Sequence, residues 1–277
     1  MTHRPLLTAA GLVGLALASP AALVAHYTFD EASGATTALN EVTGSTTGTV
    51  GANVVTGTAG ISGNAYSFSG ATGQADIVDM GNASFFAAIT TSGAYTLSAW
   101  VNSTEATGGR NVVVFAGNDA DSNDYADLGT TVTEPGHEGE AYGRNRPNTN
   151  TPSVATGYFS DGATVVDGTW HHIAMTVDLS GAVVSLYVDG ALANSQTIPS
   201  GFETFPVMNN FEIGRLGRSS PTDGYEGLVD DVQVYDEALD ATGIAYLFAN
   251  PGQAVPEPAG AALAGLGLLS LLRRRRA

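Results

Sequence analysis

The run Trp170-His171-His172-Ile173-Ala174-Met175-Thr176-Val177, followed by Val183-Val184-Ser185-Leu186-Tyr187-Val188-Asp189-Gly190-Ala191-Leu192-Ala193-Asn194-Ser195-Gln196, decides the fold. Ile173, Met175 and Val177 alternate with His172 and Thr176, and Val184, Leu186 and Val188 alternate with Ser185 and Tyr187. This is the two-residue period of strands with one buried face. Asp189-Gly190 separates two β-rich runs, and both central positions of a type I′ turn need positive φ, so the runs pair antiparallel. Further strands are expected at Leu23 to Phe29, Ala65 to Ser69, Tyr95 to Val101, Asn111 to Ala116 and Leu228 to Tyr235, separated by Gly, Asn, Asp and Ser. Helical spacing occurs only near the end of the body, where Ile244, Leu247 and Phe248 follow Asp240 as N-cap and precede Pro251. That helix is expected to cover a sheet edge. Many short strands divided by turn residues predict an all-β protein built as a two-sheet antiparallel sandwich.

Several segments then follow one another in a recognisable order. They are His26-Tyr27-Thr28-Phe29-Asp30-Glu31 with Ser33-Gly34, Gly63-Asn64-Ala65-Tyr66-Ser67-Phe68-Ser69-Gly70, and Tyr95-Thr96-Leu97-Ser98-Ala99-Trp100-Val101. Asp167-Gly168-Thr169-Trp170-His171-His172, Leu186-Tyr187-Val188-Asp189-Gly190, Ile213-Gly214 and Gly227-Leu228-Val229-Asp230-Asp231-Val232-Gln233-Val234-Tyr235 complete the order. The series resembles the LamG-like jelly-roll (concanavalin A-like lectin/glucanase) family over about residues 23 to 250, and matches least between Asp119 and Pro152. The resemblance implies a jelly-roll sandwich with a short C-terminal helix. It also implies a structural Ca2+ held by the last-strand Asp230 with carbonyls near the start of the domain, Asp30 being a possible partner.

The 277 residues contain no Cys, which excludes disulfides, thiol catalysis and thiolate metal sites. Between residues 22 and 250 there are 26 acidic residues against five Arg (Arg110, Arg144, Arg146, Arg215, Arg218), a balance of −21, and the few arginines are not clustered along the chain. A field of that sign repels phosphate backbones and attracts divalent cations, which argues against a nucleic-acid partner.

Both ends have targeting composition. Arg4 and the small, apolar run Leu6 to Ala18 predict a secretory signal over residues 1–21, cut between residues 18 and 22, so the mature domain is expected to span 22–250. At the other end Val255-Pro256-Glu257-Pro258 leads into the apolar run Ala259 to Leu272 and then Arg273, Arg274, Arg275 and Arg276. As a helix those fourteen residues reach about 21 Å, short of a roughly 30 Å hydrocarbon core, and the Arg cluster would stay cytoplasmic. The combination over 251–277 resembles the PEP-CTERM sorting signal of Gram-negative bacteria. It implies export, transient anchoring by a transmembrane helix in the inner membrane, recognition by an exosortase, and delivery to the cell envelope or extracellular matrix. A permanent anchor is the alternative.

Catalytic signals are sparse. There is no G-x-S-x-G and no H-E-x-x-H, and the nearest pair to a glucanase's two carboxylates is Glu138-Gly139-Glu140, in a Pro-Gly-rich loop. The run Asp119, Asp121, Asn123, Asp124, Asp127 starts like an EF-hand, but Asp124 replaces the turn Gly and Thr130 the bidentate Glu. Alternation places Trp100, His172, Tyr187 and Tyr235 on the non-core face of their strands, where rings bordered by hydroxyl and amide groups would suit a sugar or polymer chain. The expectation is therefore a secreted, non-catalytic, carbohydrate-binding or adhesive module for a glycan or extracellular polysaccharide. A divergent hydrolase that depends on Glu138 or Glu140, and a purely structural surface protein, are the alternatives.

Overall fold

In the computed structural model, which describes residues 22–105, 109–131, 135–147, 158–201 and 203–256, the alternating runs form two antiparallel sheets. In chain order the elements are β1 (Leu23–Tyr27), β2 (Thr37–Ala38), β3 (Gly48–Val50), β4 (Val55–Ala59), β5 (Asn64–Ser69), β6 (Val78–Gly81), α1 (Phe86–Ser92), β7 (Ala94–Asn102), β8 (Arg110–Gly117) and β9 (Tyr125–Thr131). There follow β10 (Glu140–Arg146), β11 (Tyr158–Thr164), β12 (His171–Asp178), β13 (Val183–Val188), β14 (Ala191–Thr197), β15 (Asn210–Ile213), β16 (Glu226–Tyr235) and α2 (Ala241–Ala249). The first sheet has the order β14-β13-β12-β7-β16-β5-β4, with β1 also pairing with β16, and the second has the order β11-β10-β9-β8-β15-β6-β3-β2. The all-β, two-sheet antiparallel jelly-roll expectation holds.

The core follows from the period of two. Leu97, Ala99 and Val101 of β7, Ile173, Met175 and Val177 of β12, and Val184, Leu186 and Val188 of β13 point inward as expected. They meet Val113, Val114, Ala126, Leu128, Ala141, Phe211 and Ile213 of the second sheet. Each large aliphatic side chain so buried contributes about 1.5–3 kcal/mol. Asp189 and Gly190 adopt φ of 50° and 77°, the positive pair the β13–β14 turn requires.

Three expectations change. The helix α2 is capped by Asp240, whose carboxylate accepts from Gly243 N at 2.8 Å, but it lies on the outer face of the first sheet rather than along an edge. Ile244 and Leu247 carry that packing, against Tyr187, Tyr235 and Leu239. A second helix, α1, precedes β7 and ends at Gly93 in the left-handed conformation. Trp170, which opens the β12 run beside the Asp167-Gly168 turn and is expected to anchor the core more than Trp100, is only half-buried and stands before β12, while Trp100 is buried at 4% exposure.

The segment 1–21, the apolar run 259–272, Glu257, Pro258 and Arg273 to Arg276 lie outside the described residues. No helix among the described residues is long and apolar enough to cross a membrane. The chain up to Pro256 is described, and the stretch after α2 is tied to the first sheet. Gly252 N donates to Asp231 Oδ2 at 2.7 Å, Gln233 Nε2 donates to Gln253 O at 3.2 Å, and Val255 N donates to the Tyr235 hydroxyl at 3.0 Å. Val255 therefore belongs to the folded body.

Candidate functional site

The four residues expected to form an aromatic ligand face do share one face of one sheet. His172 pairs with Trp100 across β12 and β7, Tyr187 with Ala174 across β13 and β12, and Tyr235 with Thr96 across β16 and β7. That face is closed. Phe248 of α2 stacks on Trp100 with ring centroids 5.6 Å apart and planes at 20°, and Tyr187 and Tyr235 lie under Ile244 and Leu247. None of the four exceeds 7% exposure. A ligand would have to displace the helix, so this surface is a second, minor core and not an open platform. The reason is apolar: rings too large for a lone sheet face to leave wet are covered by the first amphipathic segment that follows.

Asp230 stands beside Trp100 in the same cross-strand row. Its Oδ2 accepts from Ile61 N at 2.9 Å and Ser62 N at 3.1 Å, while Oδ1 is buried with no hydrogen-bond partner. Burial pushes this carboxyl up to about 7, against the backbone amides of Ser62, Asp231 and Ile61 that favour its charge, and the neighbouring Asp231 carboxylate adds to the rise. Asp30 reaches the same turn from the other side, accepting from Asn64 N at 2.8 Å. Glycines are needed here because a side chain on Gly60 would collide with Asp230 Oδ2 and one on Gly63 with Asp30 Oδ1. As a fit to calcium, the hard oxygen chemistry is right, and Oδ1 of Asp230 is a buried acceptor in want of a partner. The described residues contain no group of three or more acidic or imidazole ligands, so backbone carbonyls would supply the rest of a shell.

The outer face of the second sheet is built differently. Asp79, Glu212, Phe115, Asp127 and Arg144 stand opposite one another in register across β6, β15, β8, β9 and β10. Asp127 accepts from Arg144 Nε at 2.7 Å and through its other oxygen from Arg144 Nη2 and from the Tyr142 hydroxyl at 2.9 Å. Burial opposes the Arg144 charge, but the Asp127 carboxylate and the neighbouring phenols outweigh it and hold the guanidinium charged. Burial and Asp127 together push the Tyr142 phenol far above its ordinary value. Glu212 is clamped in the same way, by Arg215 Nε at 2.7 Å and Nη2 at 2.8 Å and by Asn210 Nδ2 at 2.9 Å. The arginines, dispersed in sequence, are thus gathered: all five of the body lie on or beside this face. β9 and β10 are not among the expected strands, yet Tyr142, Arg144 and Arg146 at period two, opposite Tyr125 and Asp127, are a strand signal in a polar stretch.

A cleft of about 500 Å³ opens beside β6 and β15, walled by Asp79, Asp119, Asn209, Asn210, Arg215 and Arg218 among others. Two smaller clefts, of about 350 and 310 Å³, share Glu105 and Glu226 at their rims. Those two carboxyls are close enough to share a hydrogen bond, which with some burial raises that of Glu226. A retaining glycosidase keeps its carboxyls about 5 Å apart, wider than a shared hydrogen bond. Glu140 accepts from Gly162 N at 2.7 Å and bonds His137 Nδ1 at 3.1 Å, while the exposed Glu138 carboxyl is held below the usual range by its own backbone N–H and by Gly136 N at 3.2 Å. Glu138 thus serves the β9–β10 loop, while Glu140 ties that loop and β10 to β11, and neither lines any of these three clefts.

The family model of the concanavalin A-like lectin/glucanases superfamily matches residues 72–245. A comparison with curated proteins by sequence gave no match. Among solved structures, domain 4 of AbnA, a GH43 extracellular arabinanase from Geobacillus stearothermophilus in complex with arabinotriose, superposes with a TM-score of 0.59 at 20% identity, over 83% of this chain and 99% of that one. A Trypanosoma rangeli sialidase gives 0.56 at 21% identity, over 82% of this chain and 32% of the sialidase. The binding domain of botulinum neurotoxin serotype G gives 0.58 at 11% identity, over 82% of this chain and 51% of that one. At these identities the likeness is one of fold.

Proposed function

The chain belongs to the concanavalin A-like lectin/glucanases superfamily, and on that premise we propose that it is an exported, non-catalytic glycan-binding module whose ligand lies on the outer face of the second sheet. The observation that carries this reading is the 500 Å³ cleft beside β6 and β15, lined with Asn209, Asn210, Asp79, Asp119 and Arg218. Amides, carboxylates and a guanidinium at a cleft wall are the donors and acceptors that vicinal hydroxyls require. The in-register row from Glu212 through Phe115 to Arg144 is itself buried and braces that wall from behind, so the ligand would meet the cleft and its rim and not the row. The arabinotriose complex of AbnA domain 4, which has the same fold, is consistent with such a use.

Binding without hydrolysis is supported by the state of the acids. Asp127 and Glu212 each spend both oxygens on an arginine, Glu140 accepts from Gly162 N of β11, and Glu138 accepts within its own loop. Export by the N-terminal signal, and sorting to the envelope by an exosortase through the Val255-Pro256-Glu257-Pro258 signal, complete the reading. Calcium on Asp230 Oδ1, with Asp30 at the same turn, would be structural and not part of the ligand cleft.

The test is a glycan-array screen of the purified protein, with and without calcium, beside a reducing-sugar assay on every glycan bound. Binding with no sugar release is expected. Release that disappears in Glu138→Gln or Glu140→Gln would replace this reading with the hydrolase. Mass spectrometry of secreted material should find neither terminus, and an intact Arg273 to Arg276 tail on extracellular protein would refute the sorting.

A further inference from the structure

The positive charge of the body is concentrated where the proposed ligand lies. Arg110 Cζ is 5.7 Å from the Tyr142 ring centroid, Arg144 Cζ is 5.3 Å from the same ring and 5.0 Å from that of Tyr125, and Arg146 Cζ is 5.6 Å from Tyr125. Guanidinium and phenol thus alternate along β8, β9 and β10, each ring face holding a cation.

The arginines differ in what remains free on them. Arg144 and Arg215 are consumed by Asp127 and Glu212. Among the described residues neither Arg146 nor Arg218 forms a salt bridge. Arg146 donates once, from Nη1 to the Tyr125 hydroxyl at 3.0 Å. Arg218 donates to the carbonyls of Ser220 and Ser122 at 3.3 and 3.4 Å and to the Thr222 hydroxyl at 3.2 Å. Both are half-buried, and both rest on one short stretch, Ser122 to Tyr125, at the start of β9. In a body with 26 carboxylates and five arginines, two guanidinium groups beside one turn, neither in a salt bridge among the described residues although that turn carries Asp121 and Asp124, are left for a carboxylate, or its equivalent, that the ligand brings.

We propose that this strip selects acidic glycans, seating a uronate carboxylate or a sulfate ester on Arg146 and Arg218. The inference rests on the glycan-binding reading and names its ligand class. The planar fork of a guanidinium matches both anions, and the Tyr125 ring with its hydroxyl holds the Arg146 guanidinium in place before the ligand arrives. The rest of the surface repels polyanions, so recognition is confined to this strip and a short oligosaccharide suffices to show it.

The experiment is calorimetric titration of the full chain with a trimeric oligouronate, a sulfated trisaccharide and a neutral trisaccharide. The parent should bind at least one acidic ligand about tenfold or more tightly than the neutral one. Arg146→Gln and Arg218→Gln should each reduce acidic binding at least tenfold and reduce neutral binding by a much smaller factor, and Arg146→Lys should retain part of the acidic binding. Thermal denaturation of each variant shows whether it is folded, and Arg218→Gln, in a loop, carries the test if Arg146→Gln does not fold. Preference for one anion assigns the source as carboxylate or sulfate and supports the inference. Equal affinity for acidic and neutral ligands, unaffected by either variant, overturns acid selection and leaves the glycan-binding reading standing. Failure of every glycan to bind overturns both.

Discussion

Asp230→Asn isolates one buried charge. In the parent, the carboxyl sits with Oδ1 unpartnered beneath the first sheet's cover, and its pKa is raised from an ordinary 3.8 to about 7. A raised folded-state pKa means that between about pH 4 and pH 7 the folded protein keeps a proton that the unfolded chain releases. Stability from this group therefore falls as pH rises through that window and levels off above it. Three units correspond to roughly 4 kcal/mol as an upper figure, since each is worth about 1.36 kcal/mol. The amide keeps an oxygen for Ile61 and Ser62 N–H and carries no charge, so the variant lacks the ramp. Urea unfolding of parent and variant at pH 4, 5.5, 7 and 8 gives the difference directly, and other titrating groups cancel in it. The variant should gain on the parent with rising pH, by up to about 4 kcal/mol between pH 4 and 8. Calcium bound at Oδ1 would offset this above pH 7, by about 2.7 kcal/mol at 100 times its dissociation constant, in the parent only. Stability curves that stay parallel across pH, without calcium, would refute the burial argument. Calcium that protects no better than magnesium at matched ionic strength would leave Oδ2 as a cap for the 60–64 turn and nothing more.

Other outcomes follow from the same geometry. Asp127→Ala strands the Arg144 guanidinium in a buried site and should cost about 3–5 kcal/mol in denaturant unfolding; a loss below 1 kcal/mol would mean the pair is solvated. Trp100→Ala should lower stability by about 3–5 kcal/mol and Trp170→Ala by clearly less, because only Trp100 is buried; equal losses would reverse that assignment. Phe248→Ala removes the ring stacked on Trp100, so tryptophan emission should shift to the red with a stability loss of about 1–2 kcal/mol, and unchanged emission would place α2 elsewhere.

The parts of the fold legible in the sequence are those whose signal is local. Asp189-Gly190 fixes a turn by its own backbone needs, and Leu97-x-Ala99-x-Val101 announces a buried face without reference to anything distant. β9 and β10 were hidden because Asp127, Gly129, Glu140, Gly143 and Arg144 read as loop residues. They are strand residues because Asp127 and Arg144 satisfy one another across strands and because Gly129 leaves room for the Asn111 carbonyl. The aromatic row was placed on the right face but left open, since nothing near Trp100 in sequence says that Phe248 will cover it. Asp230 was singled out by its strand, yet its partners Ile61 and Ser62 are more than 160 residues away. The clustering of five scattered arginines appears only when β8, β10 and the loop after β15 come together.

The central claim is that a glycan occupies the outer face of the second sheet. Hydrogen exchange of the protein with and without the best ligand from the array tests it most directly. The account predicts slowed exchange in 79–82, 122–127, 140–147 and 209–221, with 97–101, 171–176 and 241–249 unchanged. Protection confined to those last three segments would instead put the ligand under α2, on the face of Trp100, His172, Tyr187 and Tyr235, and contradict the account.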